Sequence, residues 1–133
     1  MQPNRSMPAS TVIPTLPYAA VGEAAEWLHG AFGFTVRLRI GDHRIQMNVG
    51  DGAVVLTQAG SQPSRGSIMV RVDDVDGYHA RASAFGAQVS GPQTFPYGER
   101  QFTAIDCGGH AWTFSESVAD VAPQDWGGTP EQL

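Results

Sequence analysis

The sequence predicts an α+β fold, two βαβββ modules with mixed sheets within a single domain of 133 residues. Three observations predict the modules. Two segments, VGEAAEWLHGAF (21–32) and VDGYHARASAF (75–85), carry apolar residues at the three- and four-residue spacing of an amphipathic helix. Short alternating runs bounded by Gly- and Pro-containing turns surround each segment and read as strands. The two halves also match. AFGF (31–34) answers AFGA (84–87), and RIQMNVGDGAVVL (44–56) answers QFTAIDCGGHAWT (101–113), at an offset of about 55 residues.

The elements follow in order. The opening MQPNRSMPAS holds one Arg and no apolar stretch, so it does not read as a signal peptide; a frayed leader is expected. VIPTLPY (12–18) is the first strand. Helix one presents Val21, Ala24, Ala25, Leu28, Ala31 and Phe32 on one face and stops at Gly33. FTVRLRI (34–40) alternates, with Val36, Leu38 and Ile40 on one side and Arg37 and Arg39 on the other. GDHR turns the chain into IQMNV (45–49), and GDG turns it again into AVVLTQ (53–58). GSQPSRG (60–66) links module one (about 11–59) to module two (about 67–118).

SIMVRV (67–72) opens the second module. Helix two follows, with Val75, Tyr78, Ala82 and Phe85 on its face, an N-cap from Asp73 or Asp74, and a stop at Gly86. AQVS (87–90), the loop GPQTFPYGE, RQFTAI (100–105) and HAWTFSE (110–116) complete it. The tail, 119–133, is polar apart from Trp126. A sheet covered by a helix on one face must offer the other to a partner or a ligand. A homodimer that covers the free faces and edge strands is expected.

Charge and cysteine content narrow the partners. Eight Lys and Arg against thirteen Asp and Glu give −5, and the cations are scattered. Nucleic acid binding needs a clustered cationic stripe, so no nucleic acid partner is expected. A negative surface favours a cationic small molecule. No run of 18 apolar residues is present, so no membrane span is expected. Cys107 is the only cysteine, which excludes an intrachain disulfide and suits a reducing cytoplasm.

Three stretches, VIPTLPYAAVGEAAEWLHGAFGF, VRVDDVDGYHARASAFGA and YGERQFTAIDCGGHAWTFSE, resemble the vicinal oxygen chelate superfamily. Glyoxalase I, extradiol dioxygenases, and fosfomycin and bleomycin resistance proteins belong to it. The resemblance spans about residues 11–118 and is similar above all to uncharacterised bacterial glyoxalase-like proteins. It implies paired βαβββ modules forming cup-shaped mixed sheets around a cavity, and a homodimer that completes the cups. Metal-dependent members hold one ligand in the first strand and one in the last strand of each module. Carried onto this chain, those positions are Ile13, Leu56, Ser67 and Thr113. None supplies the imidazole or carboxylate that a catalytic divalent ion needs. The resemblance therefore implies no metal and no cofactor, and a small-molecule binding protein. The alternative is a lyase, isomerase or dioxygenase whose site uses other residues.

The same positions become ligand-binding candidates, together with Met69, which alternates with Ser67. Phe95 and Tyr97 bring aromatic surface to the 91–99 loop, where they either stack on a planar ligand or plug the sheet end. Glu99 and Arg100 sit at a strand mouth and serve either a clamp or the structure. His110 shares a strand face with Trp112 and Phe114, facing away from Thr113, which assigns it a structural or surface role. His29, His43 and His79 have no metal-binding spacing around them. Glu116 lies on the face opposite Thr113. Cys107 has no adjacent base to activate a thiolate. Asp106, with Gly108 and Gly109, is expected to hold the turn.

Overall fold

The computed structural model describes residues 1–62 and 64–131. Pro63 of the expected linker and the last two residues of the expected tail lie outside the described residues. Module one runs β1 (Thr15–Tyr18), α1 (Val21–Phe32), β2 (Thr35–Ile40), β3 (Arg44–Val49) and β4 (Gly52–Gln58). Module two runs β5 (Ser67–Arg71), α2 (Val75–Phe85), β6 (Gln88–Val89), β7 (Gln93–Thr94), β8 (Glu99–Ile105) and β9 (Ala111–Ser117). Both helices span the residues their periodicity marks. β1 starts later than expected: the proline at 14 has no N–H to pair, although its carbonyl accepts from Val55 N at 2.9 Å.

The duplication holds in three dimensions. Sheet one has the order β1-β4-β3-β2, and sheet two β5-β9-β8-β6 with β7 also on β8. In each, the first and last strands pair in parallel and the others antiparallel. The antiparallel edge strand of each sheet also carries a one-residue register shift. In β2 it falls at Arg37, which has no partner of its own on β3. In module two the edge strand is broken into β6 and β7 around Gly91-Pro92, and the pairing with β8 shifts between them. An extra residue in one strand bends it and re-aims its side chains.

α1 buries Val21, Ala24, Ala25, Leu28, Ala31 and Phe32, the face its spacing predicts. They share one core with Leu16, Ile45, Met47, Val54 and Leu56 of sheet one and Phe102, Ala104, Trp112 and Phe114 of sheet two. The modules therefore pack through their helix-covered sides. Phe32 joins them, touching Phe34, Trp112 and Phe114 at ring-centroid distances of 5.4, 5.9 and 4.9 Å. α2 is more exposed and buries only Val75 and Ala82 fully. Its Phe85 lies on Gly30 of α1, where an added Cβ would come within 2.2 Å of the ring. Arg81 of α2 donates to the carbonyls of His29 (2.9 Å) and Gly30 (3.1 Å), satisfying the end of α1. Asp74, one of the two expected caps, accepts from Gly77 N at 3.1 Å.

Candidate functional site

Alternation assigns the opposite, free face of each sheet. On sheet two that face holds Ser67, Met69 and Arg71 of β5, Ala111, Thr113, Ser115 and Ser117 of β9, and Glu99, Gln101, Thr103 and Ile105 of β8. The pairing confirms the set: Met69 lies beside Thr113, and Thr113 beside Thr103. Trp112, next in sequence, is 1% exposed in the core. Thr113 and Trp112 thus point to opposite sides, as their alternation predicts. Met69 is 64% exposed, so this face is open.

The free face of sheet two is a ladder of hydroxyl and amide groups. Thr103 and Thr113 hydroxyls lie 2.8 Å apart. Gln101 Nε2 donates to Ser115 Oγ (3.0 Å), and Ser115 Oγ donates to Glu99 Oε1 (2.6 Å). Arg71 donates to Ser117 Oγ at 2.8 Å. The Ser115 and Ser117 hydroxyls hold the Glu99 carboxyl below the usual range, since hydrogen bonds to the charged form favour it. At one end stands an aromatic wall. Phe95 and Tyr97 stack at 5.4 Å, and Trp126 of the tail meets Tyr97 edge-on at 5.5 Å. The Tyr97 hydroxyl reaches Gln101 Oε1 at 3.4 Å. An open depression of about 570 Å³ lies there, lined by Tyr97, Glu99, Ser117 and residues 118–121. The sequence left Trp126 unassigned; its distance from Tyr97 along the chain gives no pairing signal.

Several expected site residues stand elsewhere. Leu56 is wholly buried in the core with α1, not on the free face. Counting from GDG placed it one residue off; Val55 and Thr57 are the free-face positions of β4. Arg100 points to the helix side, bonding Asp76 of α2 at 3.0 Å, and it does not pair with Glu99 on the other side. Ile13 lies half-buried two residues ahead of β1. Glu116 Oε1 accepts from Val75 N at 2.9 Å and so caps α2.

The turn that resembles a metal-ligand motif has a different use. Asp106 Oδ1 accepts from the backbone N–H groups of Gly108 (2.8 Å) and His110 (2.9 Å). Its Oδ2 accepts from the Tyr18 hydroxyl and from Trp112 Nε1 (2.9 Å), tying module one to module two. Burial first, and Asp106 second, push the Tyr18 hydroxyl far above its ordinary value. His110 is fully buried. Its Nδ1 accepts from Gly66 N (2.7 Å) and its Nε2 lies 2.7 Å from Pro17 O, a donor position. Cys107 is solvent-exposed on one side, yet burial on the other and the Asp106 charge push its thiol up to about 11.

The free face of sheet one is closed. Gln46 and Val55 on it are each 2% exposed. The leader, far from frayed, is bonded there through residues 5–7, and Pro8 is buried. β2 does not keep a simple alternation. After Arg37 the register shifts, so Leu38 pairs with Gln46 and Arg39 turns toward Gly22 of α1.

The profile of the glyoxalase/bleomycin resistance protein/dioxygenase superfamily matches residues 13–114. The chain belongs to this superfamily. TioX from Micromonospora sp. ML1 is similar at 29% identity and TM-score 0.75, covering 82% of this chain and 99% of TioX. TnmS3, an antibiotic binding protein from Streptomyces sp. CB03234, is similar at 27% and 0.69, covering 84% and 98%. A bleomycin resistance determinant encoded on the transposon Tn5 shares the fold at 18% and 0.71, covering 84% and 100%. No curated protein matches the chain.

The superfamily includes metal-dependent members, so the donor set matters. Among the described residues no three His, Cys, Asp or Glu side chains come together. On the free faces where the chelating ligands would be sought stand Val55 and Thr57 of β4 and, on β9, Thr113 bonded to Thr103. These residues do not fit a divalent ion.

Proposed function

We propose that this protein binds a small molecule without a metal, as the bleomycin-resistance type does, and acts by sequestering it. The ligand lies on the free face of sheet two, between the hydroxyl ladder and the Phe95–Tyr97–Trp126 wall. The observation that carries this reading is the chemistry of Thr103, Thr113, Gln101 and Ser115. A row of neutral donors and acceptors beside aromatic rings suits a planar, polar organic ligand. The similarity to TnmS3 supports an antibiotic as the ligand class. The anionic Glu99 in the depression favours one that carries a cation. A homodimer would set sheet one of one protomer, with its docked leader, over the open face of sheet two of its partner and so roof the ladder. The single exposed cysteine suits a reducing cytoplasm.

The enzymatic alternative needs a free acid or base. Glu99, His110 and Glu116 are the groups that would serve, and each is committed to a hydrogen bond described above. The test is a fluorescence titration with bleomycin and a panel of polycyclic aromatic antibiotics, with Trp126 as reporter. Saturable binding at one site per chain, with the antibiotic recovered unchanged, is expected. Chemical conversion of the antibiotic would favour the enzyme. Light scattering is expected to give twice the 14.2 kDa chain mass at micromolar concentration; the chain mass itself would count against the shared cup.

A further inference from the structure

The bulge in β2 aims the Arg37 guanidinium across the free face of sheet one. Its Nη1 donates to Gln46 Oε1, which fixes the Gln46 amide with its Nε2 outward. Arg37 Nη2 then donates to the carbonyls of Arg5 (3.0 Å) and Met7 (2.9 Å), and Gln46 Nε2 to the carbonyl of Ser6 (2.8 Å). Three successive carbonyl oxygens thus converge on two side chains. A turn gathers them: Met7 N donates to Asn4 O (3.3 Å), and Ser6 N to Asn4 Oδ1 (2.9 Å).

None of these bonds belongs to a sheet ladder, and no residue before Leu16 enters the core. The donors are built by β2 and β3; the leader only fills them. The fit is imperfect, because the buried Ser10 hydroxyl has no partner among the described residues. That leaves a desolvation cost in the docked state. We propose that Arg37 and Gln46 form a carbonyl-recognition subsite, occupied at rest by residues 5–7 of the leader. A ligand with clustered carbonyl oxygens, such as an oligoamide, displaces the leader and takes both donors. Planar guanidinium and fixed amide donors are suited to such oxygens. The subsite extends the proposed small-molecule binding to sheet one and rests on that reading only for its biological use.

Trypsin reports the leader directly, because docking shields the Arg5–Ser6 bond. The full chain is digested briefly, and loss of residues 1–5 is followed by intact mass. Arg37→Ala is expected to speed that cleavage by about tenfold, the effect of losing two charge-assisted bonds. Asn4→Ala, which leaves the folded body untouched, is expected to speed it as well, and guards against misfolding of the first variant. The ligand arm uses acetyl-trialanine amide, which trypsin does not cut, against triethylene glycol, which has no carbonyl. The triamide is expected to speed cleavage of the parent saturably and to have no effect on Arg37→Ala; the glycol is expected to do nothing in either. Equal cleavage of parent and both variants would overturn the proposal, as would a parent that ignores the triamide. If the triamide acts but no antibiotic binds in the fluorescence titration, the subsite stands and the sequestration reading falls.

Discussion

The two free faces began from one plan and ended with different chemistry. Both modules share strand order, a parallel closing pair and a bulged edge strand. Gln46 of β3 answers Thr103 of β8, and each has a polar residue of the edge strand beside it, Arg37 in module one and Ser90 in module two. In module one the pair is a guanidinium on an amide, reaching outward to the leader. In module two Ser90 Oγ accepts from Thr103 N of the neighbouring β8 at 2.9 Å, a bond that stays within the sheet and leaves the Thr103 hydroxyl for Thr113. Sheet one therefore has donors that seek oxygens, while sheet two has a self-bonded ladder with open space above it. A duplicated backbone conserves where side chains point, and substitution at two or three positions decides what they bind.

The sharpest way to break the comparison is to cut what joins the halves. Asp106→Ala removes the acceptor shared by Tyr18 and Trp112 and by two backbone N–H groups. It leaves buried donors unsatisfied and is expected to cost about 3–5 kcal/mol. Trp112→Ala opens a cavity in the shared core and is expected to cost about as much, roughly 3–5 kcal/mol. Denaturant unfolding measures both. A loss below about 1 kcal/mol in either variant would mean that the modules fold independently of that link.

Thr113→Arg probes the face instead of the core. Thr113 is a neighbour of Trp112 in sequence and its opposite in direction. An arginine there can reach water, so stability should change by no more than about 1 kcal/mol. The antibiotic found by titration should bind at least about tenfold more weakly, because a long cation fills the ladder and meets Glu99. A variant that melts like the parent and binds like the parent would move the ligand off sheet two.

Much of this was legible in the chain. The helix stripes, the glycine stops and the β9 alternation follow from period and turn chemistry, and they placed Thr113 on the free face. The misplacements have local causes. A count from GDG reaches Leu56 one residue late, because the last glycine of that turn already belongs to β4 while the turn before β9 ends outside its strand. The bulge at Arg37 carries no glycine or other residue-type signal, so alternation was read through it. The leader and Trp126 meet their partners only after folding, at long sequence separation, where no periodicity points. Arg100 and Glu116 looked available because nothing in sequence reveals that α2 recruits both, through Asp76 and Val75 N.

The smallest expected effect concerns the electrostatics of the ladder. Ser115 and Ser117 hydroxyls hold the Glu99 carboxyl below its ordinary value in the folded state. A depressed folded value means that the carboxylate stabilises the fold above its unfolded pKa, about 4.3. That contribution is lost as pH falls through the folded value. Glu99→Gln should therefore cost at most about 1 kcal/mol at pH 7, given that the group is only partly buried. The difference from the parent should shrink steadily below about pH 4. Paired urea melts at pH 7 and pH 3 test this. A difference that is constant with pH would show that Glu99 acts by shape, as a hydrogen-bond acceptor that glutamine replaces imperfectly. Glu99 would still be ionised at pH 7 and still favour a cation, but the Ser115 and Ser117 hydroxyls would then orient it without lowering its pKa.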